Sequence, residues 1–535
     1  MQAVSEKWKS AHKQTLLNES FVEVSISVAD PDALANVTSA DNGAAYISDT
    51  SMVVSEVNKS AVPYSTLEQN LWVLDGSRKA IPESDFGLNG FVSNVLSDDE
   101  CMFSDKIPVI TLKYGTVFDR LIQGITITWS PTYGEFADSF VVTVYNGARV
   151  VASSEVVGNR SIQSWVAMDI TGYDRIEIMI TKWCLPHHRA RVEEIFVGRD
   201  LVFTKSDLFS YSHSQSVDPL STALPKNEIQ FSLDNTSGEY DPYNEQGLGK
   251  YLMTRQEVRT RYGLKLDDGS IEWIPGGIFY LSDWYAKQNG LTADFTARDL
   301  LELLTDVYKE RQMVLTRSLY DMADLVLSGA NLPLNDDGTV KWKIDDTLRG
   351  ITSVAPLPED TRANCLQLIA NAGRCVLYQD RSGTLHIEPV RAAEANDYMI
   401  SPSNSYSKSE VTWSKPIKQV AVKVYHYYVS EDNPMVIEKS DTTEVVVPFG
   451  TTGETIIVDN PLITDNDRAT SIGNWVGNHL THRMSLTPSW RADVRVDPMD
   501  VITHRNQHRD EALLVTDVKF TYNGAFRGTG EGKVM

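Results

Sequence analysis

Six stretches between residues 96 and 200 alternate apolar and polar side chains with a period of two, and turn residues separate them. They read ITLKY, GITITWS, SFVVTVYNGARVVASSEV, SWVAMDI, YDRIEIMITKW and ARVEEIFVG. A period of two places successive side chains on opposite faces of a strand, so each stretch is suited to burying one face. The pair Asn146–Gly147 favours a hairpin turn, and IPGG at 274–277 predicts another. The pattern predicts an antiparallel β-sandwich, which we expect to be jelly-roll-like.

A chain of 535 residues is too long for one hydrophobic core, and about 100–200 residues per domain predicts three to five domains. The predicted fold class is mostly β and multidomain, with a β-sandwich, two further β domains and a small α+β domain. The predicted limits are 1–95 for a helical arm with irregular β segments, 96–200 for the sandwich, 201–310 for the first β domain, 311–395 for the α+β domain, and 396–535 for the second β domain.

The α+β domain is indicated by a change from period two to helical periodicity. RSLYDMADLVLSG places Leu319 and Val326 on one apolar face and ends at Gly329. TRANCLQLIANAG repeats the pattern and ends at Gly373, and the hairpin RCVLYQDRSGTLHIEPV follows. A third helical pattern covers about 466–483 within the second β domain.

Charge and cysteine content exclude several classes of function. The net charge of −23 disfavours binding to phosphate backbones and to anionic lipid, although DNA can still slide past such a surface without specific binding. Four cysteines without a CxxC motif indicate assembly in a reducing cytoplasm. The first twenty residues lack the apolar core of a secretory signal, and we expect no membrane segment.

The stretch FSLDNTSGEYDPYN at 231–244 is rich in oxygen ligands. Counted from Asp234, an EF-hand would need glycine at position six and glutamate at position twelve, but Gly238 stands at five. A looser calcium site remains an alternative. The conformational interpretation is that Asp and Asn bond to their own backbone, Gly238 takes a positive φ and Pro242 fixes its own, which makes a rigid corner.

No other stretch carries a metal or catalytic motif. HHRARVEE at 187–194 lacks zinc-ligand spacing, and Asp493, Asp497 and Asp500 follow the pattern of a turn. GxSxG, Walker and GxGxxG motifs are missing from the sequence. The sequence therefore predicts no catalytic residue, no metal and no cofactor, with a cell-wall hydrolase kept as an alternative.

Aromatic residues of the sandwich allow two interpretations. Exposed rings among Trp129, Tyr133, Trp165 and Trp183 would stack on the sugar rings of a host-surface glycan. Aromatic residues in a sandwich more often form its core, particularly Trp129 and Trp183 at strand ends. Both interpretations remain open at this point.

The order of segments over residues 201–535 resembles hub proteins at the tail tip or baseplate of bacteriophages. The family pattern is a strand ending in LDN, a GxYxP corner, and a Gly-x-aromatic strand followed by an aromatic residue. Here it corresponds to Leu233–Asn235, Gly238, Tyr240, Pro242, Gly277, Phe279, Leu281 and Trp284. NCLQLIANAGRCVLYQDRSGTLHIEPV and WRADVRVDPMDVI also resemble this family, and residues 96–200 resemble carbohydrate-binding jelly rolls of tail and baseplate proteins.

The resemblance implies a structural protein of the virion tail tip that assembles in the host cytoplasm. Such hubs are homotrimers in which two β domains per chain form a ring of six, joining a sixfold tail tube to a threefold tip. The implied partners are tail-tube and distal tail proteins and a central spike or fibre, and genome DNA passes without specific binding. The residues predicted to form contacts between copies are Asp234, Tyr240, Tyr243, Trp273, Trp284, Trp413, Trp490 and Arg491.

Overall fold

The computed structural model describes most of the chain. The described residues are all except 15–17, 43–49, 55–62, 64, 79–89, 105, 289, 311–312, 331, 336–338, 391–394 and 431–435. Within them, the predicted mostly β, multidomain fold with a small α+β part is confirmed.

The N-terminal segment adds one helix and one long strand to the core of the molecule. Ser5 begins α1 (Glu6–Lys13), because its side chain accepts a hydrogen bond from the backbone N–H of Trp8. β1 (Ser20–Ala29) buries every second side chain. The short helix α2 (Pro31–Leu34) and the strand β2 (Val37–Asp41) follow. Trp8 is buried in a core that the β1 side chains share, so the N-terminal helix packs against the β structure.

The sandwich consists of two sheets that share one core. Its further strands are β3 (Phe91–Leu96), β4 (Val109–Phe118), β5 (Ile122–Thr128), β6 (Ala137–Asn146), β7 (Arg149–Val156), β8 (Gln163–Ile170), β9 (Tyr173–Trp183), β10 (Arg189–Val192) and β11 (Glu194–Phe196). One sheet has the order β2-β4-β9-β6-β7, the other has the order β11-β5-β8, and β10 pairs with β3. The β6–β7 hairpin turns at Asn146–Gly147, as predicted, with Gly147 at φ 57°.

A fourteen-stranded sheet joins the two further β domains. The first β unit contains β1 and β12 (Gly198–Phe203), β13 (Leu208–Ser216), β14 (Lys226–Asp234), β15 (Glu257–Lys265), β16 (Ile271–Ala286) and β17 (Thr292–Arg298). The second β unit contains β25 (Ala395–Ile400), β26 (Glu410–Trp413), β30 (Met484–Thr487), β31 (Ser489–Trp490), β32 (Val501–Arg505), β33 (Asp510–Tyr522) and β34 (Phe526–Val534).

The seam between the two β units is a regular antiparallel pairing of β13 with β33, from Tyr211 opposite Tyr522 to Ser216 opposite Asp517. The main order is β12-β1-β15-β16-β17-β14-β13-β33-β34-β30-β26. Among the described residues, seven strands therefore lie on each side of the seam, and one continuous core runs beneath both halves. IPGG at 274–277 lies within β16 and not in a turn, because a register shift opposite Thr260 and Arg261 absorbs the Pro–Gly pair.

The α+β unit lies between the β units in the chain. Its elements are β18 (Val307–Tyr308), β19 (Arg317–Ser318), α3 (Leu319–Ser328), β20 (Trp342–Ile344), β21 (Thr352–Ser353), β22 (Asp360–Thr361), α4 (Arg362–Gly373), β23 (Cys375–Gln379), β24 (Leu385–Pro389), β27 (Ile417–Val429), β28 (Ile437–Pro448), β29 (Glu454–Val458) and α5 (Asn466–Thr481). As the periodicity predicts, Leu319 and Val326 are buried. α4 ends with Arg374, not Gly373, in the left-handed conformation.

The segment from β27 to α5 packs with this unit, although the predicted limits place it in the second β domain. Val420, Val422 and Val424 of β27 and Ile472 and Val476 of α5 belong to the same core as α3 and α4. These side chains do not belong to the core of the fourteen-stranded sheet, which is a separate cluster. The second β unit is therefore assembled from the segments that flank this insertion.

Candidate functional site

The corner at 231–244 is held by hydrogen bonds of its own side chains. Asn235 is buried, and its Oδ1 accepts from the backbone N–H of Tyr240 at 2.9 Å while its Nδ2 donates to the carbonyl of Gly290 at 3.1 Å. Gly238 has a φ of 73°, the left-handed conformation that glycine adopts without strain. The buried amide thus fixes the direction in which the chain leaves β14.

Asp234, at the start of the corner, uses its oxygens locally. Its Oδ1 accepts from the backbone N–H of Thr236 at 2.9 Å, and its Oδ2 accepts from the Thr236 hydroxyl at 3.1 Å. Among the described residues, no three His, Cys, Asp or Glu side chains are grouped in a way that could hold a metal ion. The hydrogen bonds of Asp234 are those that the conformational interpretation predicts.

Two residues predicted to contact a neighbouring copy are buried within this chain. Tyr240 is 5 % exposed and meets the ring of Phe295 edge-on, with centroids 5.4 Å apart. Trp490 is 1 % exposed and lies against Gly528 in the second β unit. Both side chains pack mainly inside their own chain, and their contact with another copy stays a prediction.

Other predicted contact residues are accessible. Tyr243 in the corner is 76 % exposed, and Asp234 at the start of the corner is also exposed. Trp413 is 65 % exposed on β26, whose four residues are all exposed, and the guanidinium of Arg483 lies 5.9 Å from its ring centre. These side chains lie in different β units. Asp234 and Tyr243 belong to the first, and Trp413 lies on β26, the last strand of the sheet on the side of the second.

The remaining three members are partly engaged inside the chain. Trp273 and Trp284 are half-buried, and the guanidinium of Arg261 lies 4.5 Å from the Trp273 ring centre. Arg491 donates from Nη1 to the carbonyl of Gln14 at 2.8 Å and from Nη2 to the carbonyl of His12 at 2.9 Å. Arg491 therefore attaches the N-terminal segment to the second β unit.

Two of the four candidate glycan-binding rings form the core of the sandwich. Trp129 and Trp183 have no exposed surface, and their ring centroids lie 6.2 Å apart in an edge-on arrangement. Trp129 Nε1 donates to Ser164 Oγ at 2.8 Å, and Trp183 Nε1 donates to Glu135 Oε2 at 2.9 Å. Neither ring can stack on a sugar, so for these two residues the core interpretation holds.

The other two candidates are at the surface, each covered in part by arginine. Trp165 on β8 is 41 % exposed, and the Arg199 guanidinium lies 4.5 Å from its ring centre. Tyr133 is half-buried, with Arg191 at 4.6 Å and Arg78 at 5.5 Å from its ring centre. Trp165 is thus the candidate with the largest accessible ring surface.

A buried charge network in the sandwich was missed by the sequence analysis. His188 Nδ1 lies 2.9 Å from Glu135 Oε1, and Arg191 Nη1 donates to Glu135 Oε2 at 3.3 Å. Arg191 also donates to Glu68, whose other oxygen accepts from the backbone N–H of Arg189 at 2.9 Å. The available signal was the alternation of HHRARVEE, which places charged side chains on strand β10. The network fastens the segment around Glu68 to the sandwich.

Arg381 binds all three units at their junction. This residue in the β23–β24 turn is 5 % exposed, and its Nη1 donates to the carbonyl of Pro275 in the first β unit at 3.0 Å. Its Nη2 donates to the carbonyl of Val494 at 2.7 Å, and its Nε donates to Asp497 Oδ1 at 2.7 Å, both in the second β unit. A planar guanidinium suits this task because its donors point in several fixed directions.

A second buried polar chain lies next to the seam, in the first β unit. His213 on β13 is fully buried, with Nδ1 at 2.7 Å from the Tyr262 hydroxyl and Nε2 at 2.8 Å from Asn227 Oδ1. The Tyr262 hydroxyl also lies 2.8 Å from that of Tyr211. Burial lowers the pKa of His213 to about 4, because the imidazolium form would lose its hydration. His213 is therefore neutral at physiological pH.

The three aspartates near residue 500 are each paired with a cation. Asp493 accepts from Arg495 Nε at 2.9 Å, Asp497 is bound by Arg381, and Asp500 contacts the amino group of Met1. Carboxylates committed to ion pairs in this way stabilise loops, in agreement with the interpretation of this run as a turn.

Comparisons with known proteins find similarity at the level of structure. No family model matches the chain, and no curated protein matches it. Solved structures similar to this chain include the 43 kDa tail protein of prophage MuSo2 from Shewanella oneidensis, at 13% identity and a TM-score of 0.42, covering 63% of this chain and 95% of that chain. A tail protein from Neisseria meningitidis MC58 matches at 11% identity and 0.41, covering 63% and 93%. Prophage tail protein gp18 from Listeria monocytogenes EGD-e matches at 10% and 0.39, covering 63% and 91%. All three of these solved structures are tail proteins, and two of them come from prophages. No helix among the described residues combines the length and apolarity needed to cross a membrane.

Proposed function

We propose that the chain is a non-enzymatic structural hub of a bacteriophage tail tip or baseplate, and that three copies join a sixfold tail tube to a threefold tip. The observation that carries the proposal is the seam between β13 and β33, which places seven strands on each side within one sheet and over one core. Three such chains supply six β units to a ring. In a closed ring every contact surface between copies is occupied, so assembly stops at a defined size.

The corner at 231–244 supports this role through its rigidity. Its buried Asn235 sets one chain direction, and little conformational entropy remains to be lost when a neighbour packs against exposed Tyr243. The resemblance of this corner and of residues 201–535 to tail hubs supports the same role. In this proposal the partners are tail-tube and distal tail proteins and a central spike or fibre, DNA passes through without specific binding, and the location is the virion tail tip.

The mass of the purified chain tests trimerisation. We expect light scattering on a sizing column to give three times the monomer mass, and imaging of particles to place both β units at the same radius. Tyr243→Glu and Trp413→Glu introduce charge at exposed contact positions and are expected to yield monomers. Val157→Glu, at a 72 % exposed position of the sandwich, is the matched control and is expected to remain trimeric. A wild-type monomer that does not enter particles would contradict the proposal.

The accessible ring of Trp165 favours a second function, which is adhesion of the sandwich to a host-surface glycan. A sugar would stack on the ring surface that Arg199 leaves open. On a glycan array, Trp165→Ala in the full chain is expected to abolish the signal. Trp72→Ala, which removes another exposed tryptophan, is expected to preserve it. A wild-type chain that binds no glycan would leave the sandwich as a spacer.

A further inference from the structure

A cavity of about 80 Å³ lies where the two β units and the α+β unit meet. Most of its lining residues are polar, and they come from all three units and from the N-terminal segment. The lining side chains that matter here are Gln2, Gln215, Asn227, Asp299, Gln379 and Asp497. Any change in the angle between the units would deform this cavity.

Asp299 stands at the point where the chain passes from the first β unit into the α+β unit. It follows β17, and its Oδ1 accepts from the backbone N–H of Leu301 at 3.1 Å, which begins a 3₁₀ helix at Leu300–Leu304. The leucines of this turn lie in the α+β core. The backbone N–H of Asp299 donates to the carbonyl of Asn227 at 3.1 Å, so one residue connects both units.

The second carboxyl oxygen of Asp299 is buried without a hydrogen-bond partner in the described part of the chain. The residue is 4 % exposed, and its Oδ2 makes no hydrogen bond to any described residue. A buried polar atom without a partner is costly, and an unpaired buried charge is costlier still. The position is therefore far more compatible with a neutral carboxyl group than with a carboxylate.

The two arginines near Asp299 are bound to other carboxylates. Arg298 donates to Glu228 at 3.0 Å and to Glu302 at 3.3 Å, and Arg381 is committed to Asp497. Burial, more than any neighbouring charge, raises the pKa of Asp299 to about 7. The charges that act on it from its own segment are Arg298 and Glu302. The other titratable groups that line the cavity are Lys226 at the start of β14, Tyr378, Asp380 and Arg381 on the β23–β24 hairpin, and Asp497 in the second β unit.

We propose that the protonation state of Asp299 controls how tightly the α+β unit is held against the first β unit. We call this residue the latch of that junction. With its proton, the carboxyl group fits the cavity and the 3₁₀ turn holds the α+β unit against the first β unit. When the proton leaves to solvent, an unpaired charge remains in the cavity, and the junction loosens. The latch is a property of the single chain and does not depend on the role in a phage tail.

Asp299→Asn tests the latch, because asparagine keeps the capping acceptor but cannot ionise. Thermal unfolding of the full chain is compared for wild type and variant between pH 4 and pH 8.5. The folded-state pKa is raised, so the proton stabilises wild type at low pH and this advantage is lost as pH rises towards 7. The difference in Tm, variant minus wild type, is expected to increase by roughly 5 °C from pH 4 to pH 7 and then to level off.

Asp345→Asn is the matched control. Asp345 begins another five-residue 3₁₀ helix, where its Oδ1 accepts from the backbone N–H of Thr347 at 2.9 Å, but it is only half-buried. Its Tm difference from wild type is expected to be independent of pH. If Asp299→Asn does not fold, Asp299→Ser keeps a cap without an ionisable group and carries the same expectation. A difference that does not grow with pH, or that grows equally in the control, would overturn the latch.

Discussion

Arg381 offers the most direct test of how the three units are held together. Replacement by methionine keeps the length of the side chain but removes the guanidinium, which is 5 % exposed and donates to Pro275, Val494 and Asp497. Buried acceptors in two other units would then lack a donor. Loss of these hydrogen bonds should therefore weaken the packing of the α+β unit against the two β units, and not only the β23–β24 turn.

The expected loss in the free energy of unfolding depends on how deeply Arg381 is buried and on how many groups accept hydrogen bonds from it. Removing one member of a buried ion pair costs about 3–5 kcal/mol, since the remaining charge stays desolvated. Asp497 retains 23 % side-chain exposure and a 2.8 Å hydrogen bond from Gln2 Nε2, which favours the lower end of that range. The carbonyls of Pro275 and Val494 also lose a donor, which raises the cost again. We therefore expect the replacement to lower the free energy of unfolding by about 4 kcal/mol. Domains are stable by only about 5–15 kcal/mol, so a loss of this size is large.

Urea unfolding and calorimetry measure this effect. We expect Arg381→Met to lower the free energy of unfolding by about 4 kcal/mol and to separate the unfolding of the α+β unit from that of the sheet. Arg505→Ala is the control, because Arg505 forms an exposed pair with Asp510 at 2.7 Å, and such pairs contribute about 1 kcal/mol or less. If both variants lost the same stability, or if Arg381→Met kept a single unchanged transition, our account of the junction would be refuted.

Three further predictions follow from buried polar and aromatic groups. Asn235→Ala should cost about 2 kcal/mol in urea unfolding, because the Tyr240 amide loses its acceptor, whereas Thr236→Ala at the exposed side of the corner should cost less than about 0.5 kcal/mol. Trp8→Ala should lower the unfolding free energy by about 3–5 kcal/mol through the cavity it leaves, and a smaller loss would show that α1 is dispensable to the core. His213 should still be neutral at pH 5 in histidine NMR spectra. Its lowered pKa contributes stability above pH 6.5 that is lost as pH falls towards 4, and a protonated ring at pH 5 would contradict its burial.

Local patterns allowed the strands and helices to be predicted because they depend on nearby side chains. The alternation in β6 and β9 indicated which faces would be buried, and the apolar positions of α3 predicted its inward face. The pair Asn146–Gly147 specified its hairpin by backbone conformation alone.

The grouping of elements into units depends on distant pairings that no local pattern records. β1 reads like any other amphipathic strand, and nothing near it shows that Val24 lies opposite both Phe203 and Thr260. The Pro–Gly pair in β16 predicts a turn from its local sequence, and only the pairing with β15 shows that Gly276 is an extra residue within a continuous strand. Arg381 looked like an ordinary turn residue, since its acceptors come from segments more than a hundred residues away.

Three separate attachments fix the two β units relative to each other within one chain. The β13–β33 seam joins their backbones, Arg381 joins them through the α+β unit, and α1 joins them through Trp8 and through Lys7, which lies 2.8 Å from Asp268 of the β15–β16 loop. Because Arg491 holds the end of that segment to the second β unit, α1 bridges the two sides. Rotation of one unit would have to break all three attachments, so the angle between the units is established when the chain folds. In the proposed trimer, copies that meet with this angle already set would lose little conformational entropy on association.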